Sequence, residues 1–82
     1  MNISDKLAEV FVESTGENLY LVENPEAKVS NFIDSLGFYY LVLEIENEFS
    51  ITDLQCQVEG KLNGPVKDFI NTLEAVVRST VK

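Results

Sequence analysis

Apolar residues recur along this chain with the period of an amphipathic helix in three long stretches, and a shorter one lies before the last of them. In the first stretch Ile3, Leu7, Val10, Phe11 and Ser14 fall on one face, at the spacings of three and four that a helix requires. Asn2, with Asp5 three residues on, can cap its start, and Gly16 suits its end. From Glu17 to Asp34 no period persists, and Asn24–Pro25 marks a turn. The run Asn18–Val22 has the residue types of a short strand, but no second strand stands ready to pair with it. The segment therefore predicts a long loop, pinned by Leu19, Leu21, Val29 and Phe32. A loop of that length in a small domain points to function nearby.

The second helix is predicted to begin at Ser35 or Leu36 and to run to about Phe49. Phe38, Leu41, Val42, Ile45 and Phe49 form its core stripe. Leu36, Tyr39, Tyr40 and Leu43 form a second apolar stripe beside it. A helix in a small bundle usually buries one such stripe, so the second is either covered by the long loop or open to a partner. Thr52 with Gln55 has the form of a capping box for a short helix, with Leu54 and Val58 inward and Gly60 at its end. Asn63–Gly64–Pro65 opens the last helix, with Pro65 in its first turn. Val66, Phe69, Ile70, Leu73, Val76 and Val77 are its buried face. Arg78 and Lys82 suit the negative pole at its end. The expected fold is a small all-α four-helix bundle, three helices long and one short, with a long loop after the first. It occupies residues 1–82 as a single domain.

Composition narrows what such a bundle can do. Eighty-two residues, 45% of them hydrophobic, are enough for one core but not for a deep enclosed active site. Fourteen acidic and six basic residues give a net charge of −8, which repels nucleic acid and anionic lipid and favours a basic protein partner. Cys56 is the single cysteine, so no intrachain disulfide can form, and a reducing compartment is expected. The first ten residues have neither the basic nor the apolar region of a signal peptide, and no apolar run approaches the roughly 20 residues that span a bilayer. The expectation is a cytoplasmic, monomeric domain with no membrane insertion.

The candidate chemistry centres on Ser35, which stands between Asp34 and Leu36 at the head of the most hydrophobic helix. A serine nucleophile needs a base, and the usual base, histidine, is absent from the chain. Residues 33–36 share three letters with the GDSL lipase motif, but those enzymes are much larger and use a distant histidine. A serine modified by another enzyme needs no base of its own, only exposure and a recognisable helix start. Asp34–Ser35–Leu36 provides one.

Asp34–Ser35–Leu36, the apolar helix with interspersed glutamates that follows, and Phe49 fourteen residues after the serine together resemble the acyl carrier protein and peptidyl carrier protein family. The order of helices, the long first loop and "VKDFINTL" from Val66 are similar too, so the resemblance covers nearly the whole chain. It implies the acyl-carrier-protein fold, with the serine at the start of the second of four helices. It also implies that Ser35, flanked by Asp34 and Leu36, carries 4′-phosphopantetheine through a phosphodiester, making the chain a phosphoprotein. Acyl or aminoacyl groups would be held as thioesters on the arm's thiol, in fatty acid or secondary metabolite biosynthesis. The chain itself would not be an enzyme. Its partners would be a phosphopantetheinyl transferase and acyl- or aminoacyl-processing enzymes with basic docking surfaces. The chain differs from the family in having Asn31–Phe32–Ile33 before the aspartate, and Gly37, Tyr39 and Tyr40 where acidic residues are usual. Those differences imply a specialised pathway and a more hydrophobic contact. The alternative is a helical interaction module of the same fold that is never modified.

The charge map defines a candidate partner face. From Val29 to Gly60 there is no Lys or Arg, while Asp34, Glu44, Glu46, Glu48, Asp53 and Glu59 all lie there. Partner contacts are expected from Leu36, Tyr39, Tyr40, Leu43, Glu44 and Glu48, although a solvated face and loop-packing tyrosines would leave the same pattern. Cys56 reads as a small core residue of the short helix, with no cationic neighbour to activate it. Glu44, Glu46, Glu48 and Asp53 lack the spacing of a calcium loop, leaving at most weak divalent-cation binding. No Cys/His set for zinc and no glycine-rich phosphate loop is present.

Overall fold

The computed structural model describes residues 3–80. Its helices are α1 (Ile3–Thr15), α2 (Ser35–Phe49), the short α3 (Leu54–Val58) and α4 (Val66–Thr80). Among the described residues there is no strand, only an isolated antiparallel bridge between Lys28 and Pro65. The all-α bundle predicted from the sequence is therefore the observed architecture. Asn2 and Lys82, expected at the two outer helix ends, lie outside the described residues.

Helix α1 buries Leu7, Val10 and Phe11, and it stops where Gly16 takes a φ of 79° and donates its N–H to the Val12 carbonyl at 2.9 Å. A residue without Cβ reaches that left-handed conformation at little cost. Leu41, Val42 and Ile45 of α2 are buried, while Phe38 and Phe49 are partly buried and pack against them. Val66, Phe69, Leu73 and Val77 of α4 complete the core, with Ile70 and Val76 at its edge. Among the described residues the buried side chains are all apolar. At the centre the Phe69 ring lies 5.1 Å from that of Phe38 and 6.4 Å from that of Phe11, and Phe11 in turn lies 5.7 Å from Tyr20.

The long loop is pinned differently from expectation. Leu19 and Val29 are buried as predicted, but Leu21 is 77% exposed and Phe32 is also exposed. Leu19–Leu21 forms a 3₁₀ turn, which Asn18 caps by accepting the Tyr20 N–H at 3.0 Å. Three residues per turn put Val22, not Leu21, on the side of Leu19. A second 3₁₀ turn, Val29–Asn31, is followed by Ile33, whose N–H reaches the Val29 carbonyl at 3.1 Å. Ile33 is buried in the place expected of Phe32.

Backbone hydrogen bonds stitch this loop to the start of α4. Val29 N–H donates to the Gly64 carbonyl at 3.0 Å, Val66 N–H to Ala27 at 2.9 Å and Lys67 N–H to Pro25 at 3.0 Å. The Tyr20 hydroxyl donates to Glu74 Oε2 at 2.6 Å. Burial first, and the Glu74 hydrogen bond second, hold the Tyr20 proton well above the usual phenol range.

Helix α3 also starts differently from expectation. Thr52 is exposed and does not cap it. Asp53 occupies the cap position with a φ of 63° and makes no side-chain cap bond. The leading N–H, that of Leu54, is instead accepted at 2.9 Å by Glu46 Oε2 from α2.

Truncating the central ring should be the costliest core change. Phe69→Ala is expected to lower stability by about 3–5 kcal/mol. Phe49→Ala, at a partly buried ring, should cost less. Chemical denaturation of both variants checks the order.

Candidate functional site

The start of α2 is built by local chemistry. Asp34 is extended, with a φ of −80° and ψ of 176°, and its Oδ1 accepts the Gly37 N–H at 2.7 Å. Its backbone carbonyl accepts the Phe38 N–H at 2.9 Å. Asp34 is thus the N-cap, and Ser35 is the first helical residue. A Cβ on Gly37 would stand 2.9 Å from Ile33 Cγ2 and 3.1 Å from Asp34 Oδ1. A side chain there would force Ile33 and the Asp34 cap to shift, which favours glycine in spite of its poor helix propensity.

Ser35 is exposed, and its hydroxyl makes no hydrogen bond among the described residues. It stands in the first turn of a fifteen-residue helix, where the unpaired N–H groups and the positive pole of the dipole favour an anion. It also lines an open cleft of about 530 Å³ between α2 and the α3 region. Phe38, Tyr39 and Val42 form the α2 wall of this cleft. Gln55, Cys56 and Glu59 form the opposite wall, with Leu62 and Asn63 beyond them. The lining is mixed, apolar at Phe38, Val42 and Leu62 and polar at Gln55, Glu59 and Asn63. Among the described residues no charged side chain is buried beside Ser35.

The second stripe of α2 is open. Leu36 is 60% exposed and Leu43 39%, with Tyr39 and Tyr40 also exposed. The two tyrosine rings lie 6.2 Å apart but line different hollows. Tyr39 turns to the Ser35 cleft, whereas Tyr40 lines a shallow hollow with Glu13, Ser14 and Glu44 on the α1 side. Glu44 makes no ion pair among the described residues. Glu48 is paired with Lys6 of α1 at 3.2 Å, so a cation from outside the Val29–Gly60 segment reaches this face.

Cys56 was expected in the core and is exposed. Leu54 and Val58, four apart on a single-turn helix, both point inward. A residue midway between them must face away, into the cleft. The residues of the far wall, Gln55, Glu59, Leu62 and Asn63, could not be found from spacing, because the cleft depends on how α3 sits against α2. Glu46, one of the acids of the Val29–Gly60 segment, is part-buried and caps α3. No family model, curated protein or solved structure matches the chain.

Two substitutions check this geometry. Gly37→Ala should destabilise the fold, although propensity alone would favour alanine by about 1 kcal/mol. Leu43→Ala should change stability by no more than about 0.5 kcal/mol, as for other surface positions. Both are read from denaturation midpoints.

Proposed function

We propose that this chain is a carrier protein of the acyl or peptidyl carrier type. Its Ser35 hydroxyl takes a 4′-phosphopantetheine arm, and the arm presents thioester-bound acyl or aminoacyl groups to partner enzymes. The observation that carries this reading is the placement of Ser35. It is exposed, unbonded, in the first turn of α2 and in the lining of a cleft that Phe38, Val42 and Leu62 also line. A transferase can reach such a hydroxyl, and the helix pole favours the phosphodiester that forms there. Asp34, as the cap, fixes the direction in which Ser35 leaves the helix start, and exposed Leu36 sits beside it as a contact for the modifying enzyme.

The carrier does no chemistry of its own. Tethering gives the cargo a high effective concentration at each docked active site. The exposed Leu36, Tyr40 and Leu43, with unpaired Glu44 alongside, supply an apolar contact with an acidic border for partners with basic rims. Those same residues favour the second reading, an interaction module of this fold that is never modified.

Loading separates the two. With coenzyme A, Mg²⁺ and a broad-specificity phosphopantetheinyl transferase, the wild-type chain should gain the mass of one phosphopantetheine and Ser35→Ala none. Absence of any addition to folded wild type would leave the interaction module. Glu44→Lys should slow association with a partner enzyme more at low than at high salt, because exposed charges are screened within about 8–10 Å at physiological ionic strength.

A further inference from the structure

One residue holds the turn between α2 and α3, through its backbone carbonyl and its side chain. The chain leaves α2 through Ser50, at a φ of 55°, and reaches α3 through Asp53, at a φ of 63°. Neither residue is glycine, so both ends of the turn occupy a conformation that L-residues adopt only when their surroundings hold them there. Glu46 supplies that hold. Its backbone carbonyl accepts the N–H groups of Ser50 and, at 2.9 Å, Ile51, and its carboxylate Oε2 accepts the Leu54 N–H at 2.9 Å.

Helix α3 has five residues, too few to persist without tertiary contacts. Ile51, Leu54 and Val58 anchor it through burial. The Glu46 carboxylate is the polar tie between its first N–H and α2, because Asp53 gives no cap bond. The outward side of α3 is the far wall of the Ser35 cleft, through Gln55 and Cys56. Glu46 therefore joins the helix that carries Ser35 to the wall that faces it.

We propose that Glu46 is a positioning residue that sets the width of the Ser35 cleft by latching α3 against α2. With the carboxylate bond made, α3 stays at its observed distance from α2. With it lost, α3 shifts on its buried anchors and the cleft widens. The latch stands on the hydrogen bonds and the backbone alone. Its consequence for bound cargo rests on the carrier reading.

The test uses the full chain with Glu46→Ala and Glu46→Gln. Glutamine keeps an acceptor oxygen at the same reach, whereas alanine removes it. In the unmodified protein, amide hydrogen exchange of Leu54–Val58 should accelerate about tenfold in the alanine variant, with α1 and α4 nearly unchanged, as expected for losing a hydrogen bond to a charged group. The glutamine variant should restore most of the protection. In chains loaded with an octanoyl thioester on the Ser35 arm, hydroxylamine should cleave the thioester several-fold faster in the alanine variant. Unchanged α3 exchange, a uniform rise across all helices, or failure of glutamine to restore protection would overturn the latch. Equal thioester cleavage in all three chains would overturn its control of the cleft. If the mass spectrum shows no loading at all, the carrier reading fails instead, and the exchange result still decides the latch.

Discussion

The Phe69 ring is the contact on which the rest of the structure depends. A chain of 82 residues buries little apolar surface for its length, so a few large side chains must each join several elements. Phe69 of α4 meets Phe11 of α1 and Phe38 of α2, and Phe11 passes the contact to Tyr20 in the long loop. Three helices and the loop thus meet in one aromatic chain. Phe38 is also a wall of the Ser35 cleft. The packing that stabilises the bundle and the shape of the cleft are therefore coupled through a single ring.

The long helices were legible in the sequence because each buries one stripe, and a stripe at 3.6 spacing can be counted. The loop was legible only in part. Leu19 and Val29 stood out as apolar residues in a polar stretch and are buried, but the choice between Leu21 and Val22, or between Phe32 and Ile33, turns on backbone geometry. A 3₁₀ turn has three residues per turn, and nothing in the residue types announces it. The start of α3 was misread for a related reason. Its partner lies eight residues earlier on another helix, whereas a capping box looks only three residues ahead.

At the candidate site the same division holds. Asp34 and Gly37 bond across three residues with Ser35 between them, and the helix starts where the sequence pattern predicts. Gly37 stands out in the sequence only as a departure from an acidic pattern, while the structure shows the cap and Ile33 closing on the space where a side chain would stand. Cys56 has the size and polarity of a core residue, but the inward Leu54 and Val58 on either side of it turn it outward, which residue type alone does not reveal. The pairing of Glu48 with Lys6 spans 42 residues and was invisible to a charge count taken along one segment.

The distribution of charge bears on how such a face works. The described ion pairs place Lys6 on Glu48, Lys67 on Glu26 and Arg78 on Glu74, and none of them compensates Glu44. Exposed pairs of this kind add little stability, roughly 0–1 kcal/mol each. Their effect is on the field, because they leave the acidic charge near Tyr40 and Leu43 as the uncompensated part of the α2 face. In the proposed carrier, that charge steers a basic partner and sets its orientation, while burial of Leu36, Tyr40 and Leu43 supplies the affinity. In that reading a phosphodiester on Ser35 would add a further negative charge at the N-terminal end of the same helix. A contact built from so few apolar side chains is small, and small interfaces belong to transient encounters. A carrier that must leave each enzyme to reach the next requires that balance of fast arrival and easy release.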